Sequence, residues 1–257
     1  MSNKENNIPF SSFIIYIKEQ GPSLKMVVIT ASLMCASQLH LYRDVHSLLK
    51  SGIDMFHFDI MDGDFVENIA LNIDLIKELR TVTHKKFDAH LMVRKPSKYI
   101  LKLKEAGVNI IYFHIESSED PHYIIDFIKR EGLEVGLVIN PDTPLEKVLP
   151  YIERVDYFMF MTVRPGFAGQ KFEQSVLHKI EQFQQLTAGK EHIPKLAADG
   201  AINAKTLRLL SERGVEVFVG GSAGLFNKEG FNNNLDILKQ RDELLPLKNK
   251  IEEEIKR

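Results

Sequence analysis

A single cysteine, Cys35, stands among the 257 residues, so no intrachain disulfide can form. That scarcity suits a reducing compartment, and a cytoplasmic location is expected. Cys35 itself reads as a small packed residue rather than a nucleophile, because buried thiols usually pack. No apolar run reaches the length of about 18 residues that a membrane span needs, so no membrane association is expected. A basic surplus is missing too, with 33 Lys and Arg against 35 Asp and Glu and a formal net charge of -2. Binding along a nucleic-acid backbone calls for a surplus of positive charge. Nucleic acid is therefore not an expected partner, although a local phosphate site stays open. No sequence repeat or low-complexity segment is evident.

What is present is ordinary for a globular chain, with 44% hydrophobic and 26% charged residues. The first residues stand apart. A polar stretch leads into the apolar run FSSFIIYI, and Lys18, Glu19 and Gln20 follow it where a secretory signal would place small residues. From residue 27 two periodicities alternate. Strand-like runs fall at 27–34, 54–61, 86–92, 108–115, 133–139, 155–162, 193–199 and 215–220. Helical patterns fall at 40–51, 71–82, 96–106, 120–131, 144–150, 172–188, 203–213 and 230–245. Ala106-Gly107 and Arg213-Gly214 carry a helix C-cap signature just before strands. A doubly wound dinucleotide fold would place glycines after its first strand, and MCASQL has none. The expected fold is therefore α/β, a single-domain (β/α)8 TIM barrel over residues 26–245. Residues 1–25 read as an appendage outside it, and 246–257 as a charged C-terminal tail.

In such a barrel the chemistry sits where strands end. Side chains alternate along a strand, so HFDIM turns His57, Asp59 and Met61 inward and Phe56, Phe58 and Ile60 toward the helices. DAHLM likewise groups Asp88, His90 and Met92, and AAD ends in Asp199. Two imidazoles and two carboxylates from separate strand ends suit one divalent metal, Zn2+, Fe2+, Mn2+ or Co2+. A lone histidine would more simply be a hydrogen-bonded core residue; four ligand-type residues together favour the metal. His114, near the end of the fourth strand, is the other histidine close to this end. Gly200, Gly221 and Ser222 follow the seventh and eighth strands, where barrels often bind phosphate on bare N–H groups. Met61, Met92 and Met161 end three strands around the metal ligands, as core filling or as a dry wall for a reactive carbanion.

These segments resemble the ribulose-phosphate 3-epimerase family. The shared motifs are SLM, HFDIMDGDF, DAHLMV, VGLVINPDTPLE, MTVRPGFAGQ, ADG and GGSAGLF, in order from about Ile29 to Asn227. The resemblance implies substrate contact by Ser32, metal ligation by His57, Asp59, His90 and Asp199, and proton exchange by Asp59 and Asp199. It implies that Gly166, Phe167, Ala168 and Gly169, with Gly200, Ala201, Gly221 and Ser222, enclose the phosphorylated substrate, and that the chain forms a homo-oligomer. Inversion at a carbon beside a ketone needs proton removal on one face and return on the other, through an enediolate, hence two carboxylates. SLMC, MTV before PGFAGQ, and SAGLFN look closer to the allulose-6-phosphate enzymes. The expected reaction is therefore D-allulose 6-phosphate to D-fructose 6-phosphate, with D-ribulose 5-phosphate to D-xylulose 5-phosphate as the alternative. Departures from the family pattern are Glu67, Arg164, Ala197 and Ala201; Ala197 removes an acidic partner expected behind the metal. Two rivals remain. A Schiff-base aldolase needs a lysine at a strand's C-terminal end, and Lys195 lies too deep. A non-catalytic sugar-phosphate binder would have no need of the intact His57, Asp59, His90 and Asp199.

Overall fold

The computed structural model describes residues 27–70, 72–117, 119–227, 230–231 and 237–242. The expected appendage, residues 1–25, and charged tail, residues 246–257, lie outside these residues. Eight parallel strands form the barrel: β1 (Val28–Ser32), β2 (Met55–Asp62), β3 (Lys86–Met92), β4 (Ile110–His114), β5 (Glu134–Ile139), β6 (Tyr157–Met161), β7 (Lys195–Asp199) and β8 (Val217–Gly220). β1 pairs with β2 at Thr30–Met55 and with β8 at Val28–Val217, which closes the ring. Outside it lie α1 (Leu41–Lys50), α2 (Ile73–Arg80), α3 (Ser97–Glu105), α4 (Pro121–Arg130), α5 (Ser175–Thr187) and α6 (Ala204–Ser211). No described helix is long and apolar enough to cross a membrane.

Strand alternation sorts the side chains into two apolar layers. Phe56, Phe58, Ile60, Phe87, Phe113 and Phe158 pack between strands and helices, as the pattern predicts. Inside the ring, Met55, Tyr112, Val138, Tyr157, Met159 and Ala197 form a second cluster. Full burial of one such large side chain is worth about 1.5–3 kcal/mol, so these layers fix the strands that carry the site. Helix starts are capped: the Asn72 side chain accepts from the Leu75 amide, Asp120 from the His122 amide, and Asn203 forms a capping box with Thr206. The expected C-caps are present, with Gly107 at φ 88° and Gly214 at φ 73°.

Three elements differ from expectation. The first strand stops at Ser32, and Leu33–Cys35 forms a 3-10 turn that buries Leu33. The expected helix at 144–150 is two 3-10 turns, Leu145–Lys147 and Leu149–Arg154. Pro150 sits in that stretch, and its missing N–H and ring clash with the preceding turn prevent a regular α-helix. The expected helix at 230–245 begins as a two-residue hairpin, Phe226–Asn227 with Gly230–Phe231, and is helical at 237–242.

Candidate metal and sugar-phosphate site

The C-terminal end of the barrel carries the site, and register decides which side chains meet. β2 and β3 pair His57 with Asp88 and Asp59 with His90, while Asp199 ends β7 opposite Met161. The Thr162 amide donates to the Asp199 carbonyl at 2.7 Å and its hydroxyl to the same oxygen at 3.0 Å, which fixes the backbone carrying Asp199.

His57, Asp59, His90 and Asp199 converge, each offering a ligand atom, all within 4.8 Å of one another. His57 Nε2 lies 3.4 Å from Asp59 Oδ1 and 3.9 Å from Asp199 Oδ2. His90 Nδ1 lies 3.6 Å from Asp59 Oδ1 and 3.4 Å from Asp199 Oδ2. Both nitrogens are buried and have no hydrogen-bond partner. A buried polar atom left alone is costly, so two such nitrogens aimed at two carboxylates fit a shared cation. The opposite ring nitrogens are engaged: His57 Nδ1 bonds Asp88, whose other oxygen accepts from Thr30 Oγ1 at 2.7 Å. His90 Nε2 meets His114 Nε2 at 2.8 Å. Partners of this kind orient metal-binding imidazoles and set their tautomers. Asp88 is an acidic partner behind His57, and Ala197 is buried barrel packing.

Electrostatics also demand positive charge here. Burial alone would push the His57 imidazole down, yet Asp88 and Asp59 outweigh it and hold it well above the usual histidine value. His90 is raised as well, burial being outweighed by its contacts with Asp199 and Asp59. Burial would raise Asp59, but His57 and His90 hold it below the usual carboxylate range. Either protons on the imidazoles or a divalent cation can supply that charge. Because a metal must displace protons held above their usual affinity, apparent Zn2+ affinity is expected to strengthen from about pH 6 to about pH 8, with proton release. Calorimetry in two buffers of different ionisation enthalpy checks this; an affinity flat across that range would contradict it.

Above the cluster opens a pocket of about 510 Å³, solvent at its mouth included. Ser32, Asp59 and Asp199 line it, as do the expected Met61, Met92 and Met161. So do Gly166, Phe167, Ala168 and Gly169 after β6, Gly200 and Ala201 after β7, and Gly221 and Ser222 after β8. His57 and His90 are fully buried behind its floor. Gly200, at φ 113°, admits no side chain, since a Cβ would come within 2.5 Å of Val163 Cγ2. Ala201 follows at φ 49°, the one described non-glycine residue in the left-handed region; this costs roughly 1–2 kcal/mol. The loop after β6 is tied down by Gln170 Nε2, which donates to the Arg164 and Phe167 carbonyls at 2.6 and 2.8 Å. Asn68 Nδ2 reaches across from the β2 loop to the Gly166 carbonyl at 2.8 Å.

Several contributors were missed by sequence reasoning. Met34 enters the pocket because the 3-10 turn after β1 swings it there. Asp88 shares inward parity with His90, which could have flagged it as a partner for the neighbouring strand's histidine. Cys35 lines the pocket and is half-buried rather than part of the core; burial, with the Asp59 charge adding, pushes its thiol up to about 11. It stays protonated at neutral pH, which fits the expectation that it is no nucleophile. Arg164 and Glu67 are exposed; Arg164 lines the pocket and faces Asp142 at 3.8 Å with both side chains in solvent. Lys195 is exposed at the start of β7, at the opposite end of the strand from Asp199. That removes the basis for a Schiff-base aldolase.

Comparison with known proteins agrees with this geometry. A family model described as "Ribulose-phosphate 3 epimerase family" matches residues 28–226. The chain is 36% identical over 200 residues to the ribulose-phosphate 3-epimerase of Bacillus subtilis (strain 168), covering 77% of this chain and 92% of that protein. It is also 36% identical to the ribulose-phosphate 3-epimerase of Buchnera aphidicola subsp. Baizongia pistaciae (strain Bp), covering 86% and 97%. Among solved structures it resembles 3-keto-L-gulonate-6-phosphate decarboxylase from Vibrio cholerae, with TM-score 0.62 and 14% identity over 86% of this chain and 99% of that one. At that identity the likeness shows the barrel fold alone.

Proposed function

This chain belongs to the ribulose-phosphate 3-epimerase family and is a carbohydrate epimerase, and from that premise we propose that it interconverts D-ribulose 5-phosphate and D-xylulose 5-phosphate. The hexulose phosphate expected from motif detail gives way to this pentulose, because the matched relatives are named ribulose-phosphate 3-epimerases. The single observation that carries the reading is the pair of buried, unpartnered imidazole nitrogens facing two carboxylates on the floor of a glycine-lined pocket.

In this reading His57, Asp59, His90 and Asp199 hold one divalent cation, Zn2+, Fe2+, Mn2+ or Co2+. When bound, the cation draws electron density from the ketone and so acidifies the C3–H bond. Asp59 and Asp199 carry protons to and from the two faces of C3. The Ser32 hydroxyl donates to Asp59 Oδ2 at 2.6 Å, which orients that carboxylate and places a hydroxyl beside the substrate. Met34, Met61, Met92 and Met161 form a dry wall, which strengthens electrostatic contacts within it. Gly200, Ala201, Gly221 and Ser222 receive the phosphate on backbone N–H groups, and the Gly166–Gly169 loop covers the far end of the sugar. The phosphate undergoes no chemistry; its binding energy positions the reacting carbon.

The test compares the two substrates on purified, metal-loaded protein. The expected kcat/KM for D-ribulose 5-phosphate exceeds that for D-allulose 6-phosphate by about tenfold or more, the scale of discrimination one extra carbon unit allows. A higher kcat/KM for the hexulose would overturn the pentulose assignment and leave the epimerase chemistry standing.

A further inference from the structure

We propose that Glu116 is a positioning residue for the metal site, acting through His114 to fix the tautomer of His90. The inference rests on the reading of His90 as a metal ligand. His90 can present a lone pair from Nδ1 only if its proton sits on Nε2. That Nε2–H points at His114 Nε2, 2.8 Å away, so His114 must accept there and carry its own proton on Nδ1. His114 Nδ1 lies 3.2 Å from Glu116 Oε2, an acceptor that accommodates only the required tautomer. Both rings are fully buried, so no bulk water is at hand to satisfy the alternative arrangement. The His90 and His114 rings lie end to end and near coplanar, with centroids 4.9 Å apart and planes 20° apart, as a bond between their Nε2 atoms requires.

Glu116 is itself held. Its Oε1 accepts from the Asn140 amide at 2.9 Å, and the Thr143 hydroxyl also bonds to it. Asn140 and Thr143 belong to the turn after β5, and Lys179 of α5 fastens that turn. Lys179 Nζ donates to the carbonyls of Asn140 at 3.2 Å, Thr143 at 2.7 Å, and Pro141. An ammonium spent on three carbonyls of one turn does little for solubility, but it fixes the donors that orient Glu116. A continuous chain of bonds thus runs from the outer helix to the ligand atom. Neither Glu116 nor Lys179 lines the pocket. Glu116 serves His90 as Asp88 serves His57, with a neutral imidazole inserted between carboxylate and ligand.

Glu116→Gln keeps the shape but offers one amide oxygen where the carboxylate offered two. Either the Asn140 amide or His114 Nδ1–H then faces an NH2 group. If His114 changes tautomer to avoid the clash, its Nε2–H forces the His90 proton onto Nδ1, and the metal lone pair is lost. The experiment is Zn2+ affinity by chelator competition on wild type, Glu116→Gln, His114→Gln and the double variant, with near-ultraviolet circular dichroism reporting the fold. Loss of a partner at this remove typically costs about 10–100-fold in metal affinity, and that loss is expected for Glu116→Gln with an unchanged spectrum. In the His114→Gln background, where no imidazole tautomer is left to set, the same change is expected to cost less than about threefold. A wild-type protein that binds no Zn2+ overturns the metal reading and this inference with it. Wild-type binding with an unaltered Glu116→Gln affinity overturns this inference alone, as does an equal loss in both backgrounds. If Glu116→Gln does not fold, Lys179→Met, which loosens only the turn, replaces it. A fall of about threefold or more supports the chain of bonds, and an unchanged affinity overturns it.

Discussion

Asp199→Asn and Asp59→Asn are each expected to lower the rate of C3 inversion by about 100-fold or more, the cost of losing a positioned acid–base group. Each change keeps side-chain size and removes the base. The two sites differ in setting. Asp59 is 3% exposed and bonded to Ser32, whereas the Asp199 side chain is 15% exposed at the pocket floor. Asp199 is therefore the more accessible carboxylate and Asp59 the more rigidly held. Metal loss could produce the same fall, so bound metal is measured in each variant. With one carboxylate left, a variant is expected to exchange the C3 proton of one epimer with D2O while failing to invert it. A fully metal-loaded Asp199→Asn protein that inverts C3 near the wild-type rate would remove Asp199 from the two-base assignment.

Gly136→Ala is expected to be the most destabilising single-methyl change in the barrel interior. β4 and β5 pair Tyr112 with Gly136, and one edge of the ring occupies the space above the glycine. An added Cβ would stand 2.1 Å from Tyr112 Cδ1 and 2.4 Å from Cε1. The ring cannot withdraw easily, because Tyr157 meets it edge-on at 5.7 Å inside a closed ring of strands. Overpacking of this kind costs about 3 kcal/mol, which in a chain of this size lowers Tm by about 6–12 °C. Adding Tyr112→Leu is expected to restore part of that loss, and thermal denaturation of both variants checks it. A Gly136→Ala protein melting within about 2 °C of wild type would show that the ring moves aside freely.

The strands and the metal cluster were legible because period-two alternation makes both visible in one dimension. HFDIM and DAHLM place their histidines and acids inward, and the apolar residues between them face the helices. What alternation leaves open is the stagger between strands. The pairing of His57 with Asp88 depends on register, and the link from His90 through His114 to Glu116 depends on one further strand, β4. The turn after β1 escaped because SLMC reads as a continuation of the strand, although Leu33 is drawn into the core. The hexulose expectation finds no support among the matched relatives, which are named ribulose-phosphate 3-epimerases. In SLMC and SAGLFN, Leu33, Leu225 and Phe226 are almost wholly buried while Ser32, Met34, Cys35 and Ser222 line the pocket, so only part of each motif can touch a sugar and the rest reports packing beneath the mouth. Of the departures, Arg164 lines the pocket with an exposed side chain, and Glu67 is exposed and does not line it.

The most direct test of the epimerase assignment follows D-ribulose 5-phosphate and metal-loaded protein in D2O by proton NMR. D-xylulose 5-phosphate is expected to appear carrying deuterium at C3, with no exchange at carbons remote from the ketone. A substrate that binds yet stays unconverted and undeuterated at full metal occupancy would contradict the assignment and leave a sugar-phosphate-binding barrel in its place.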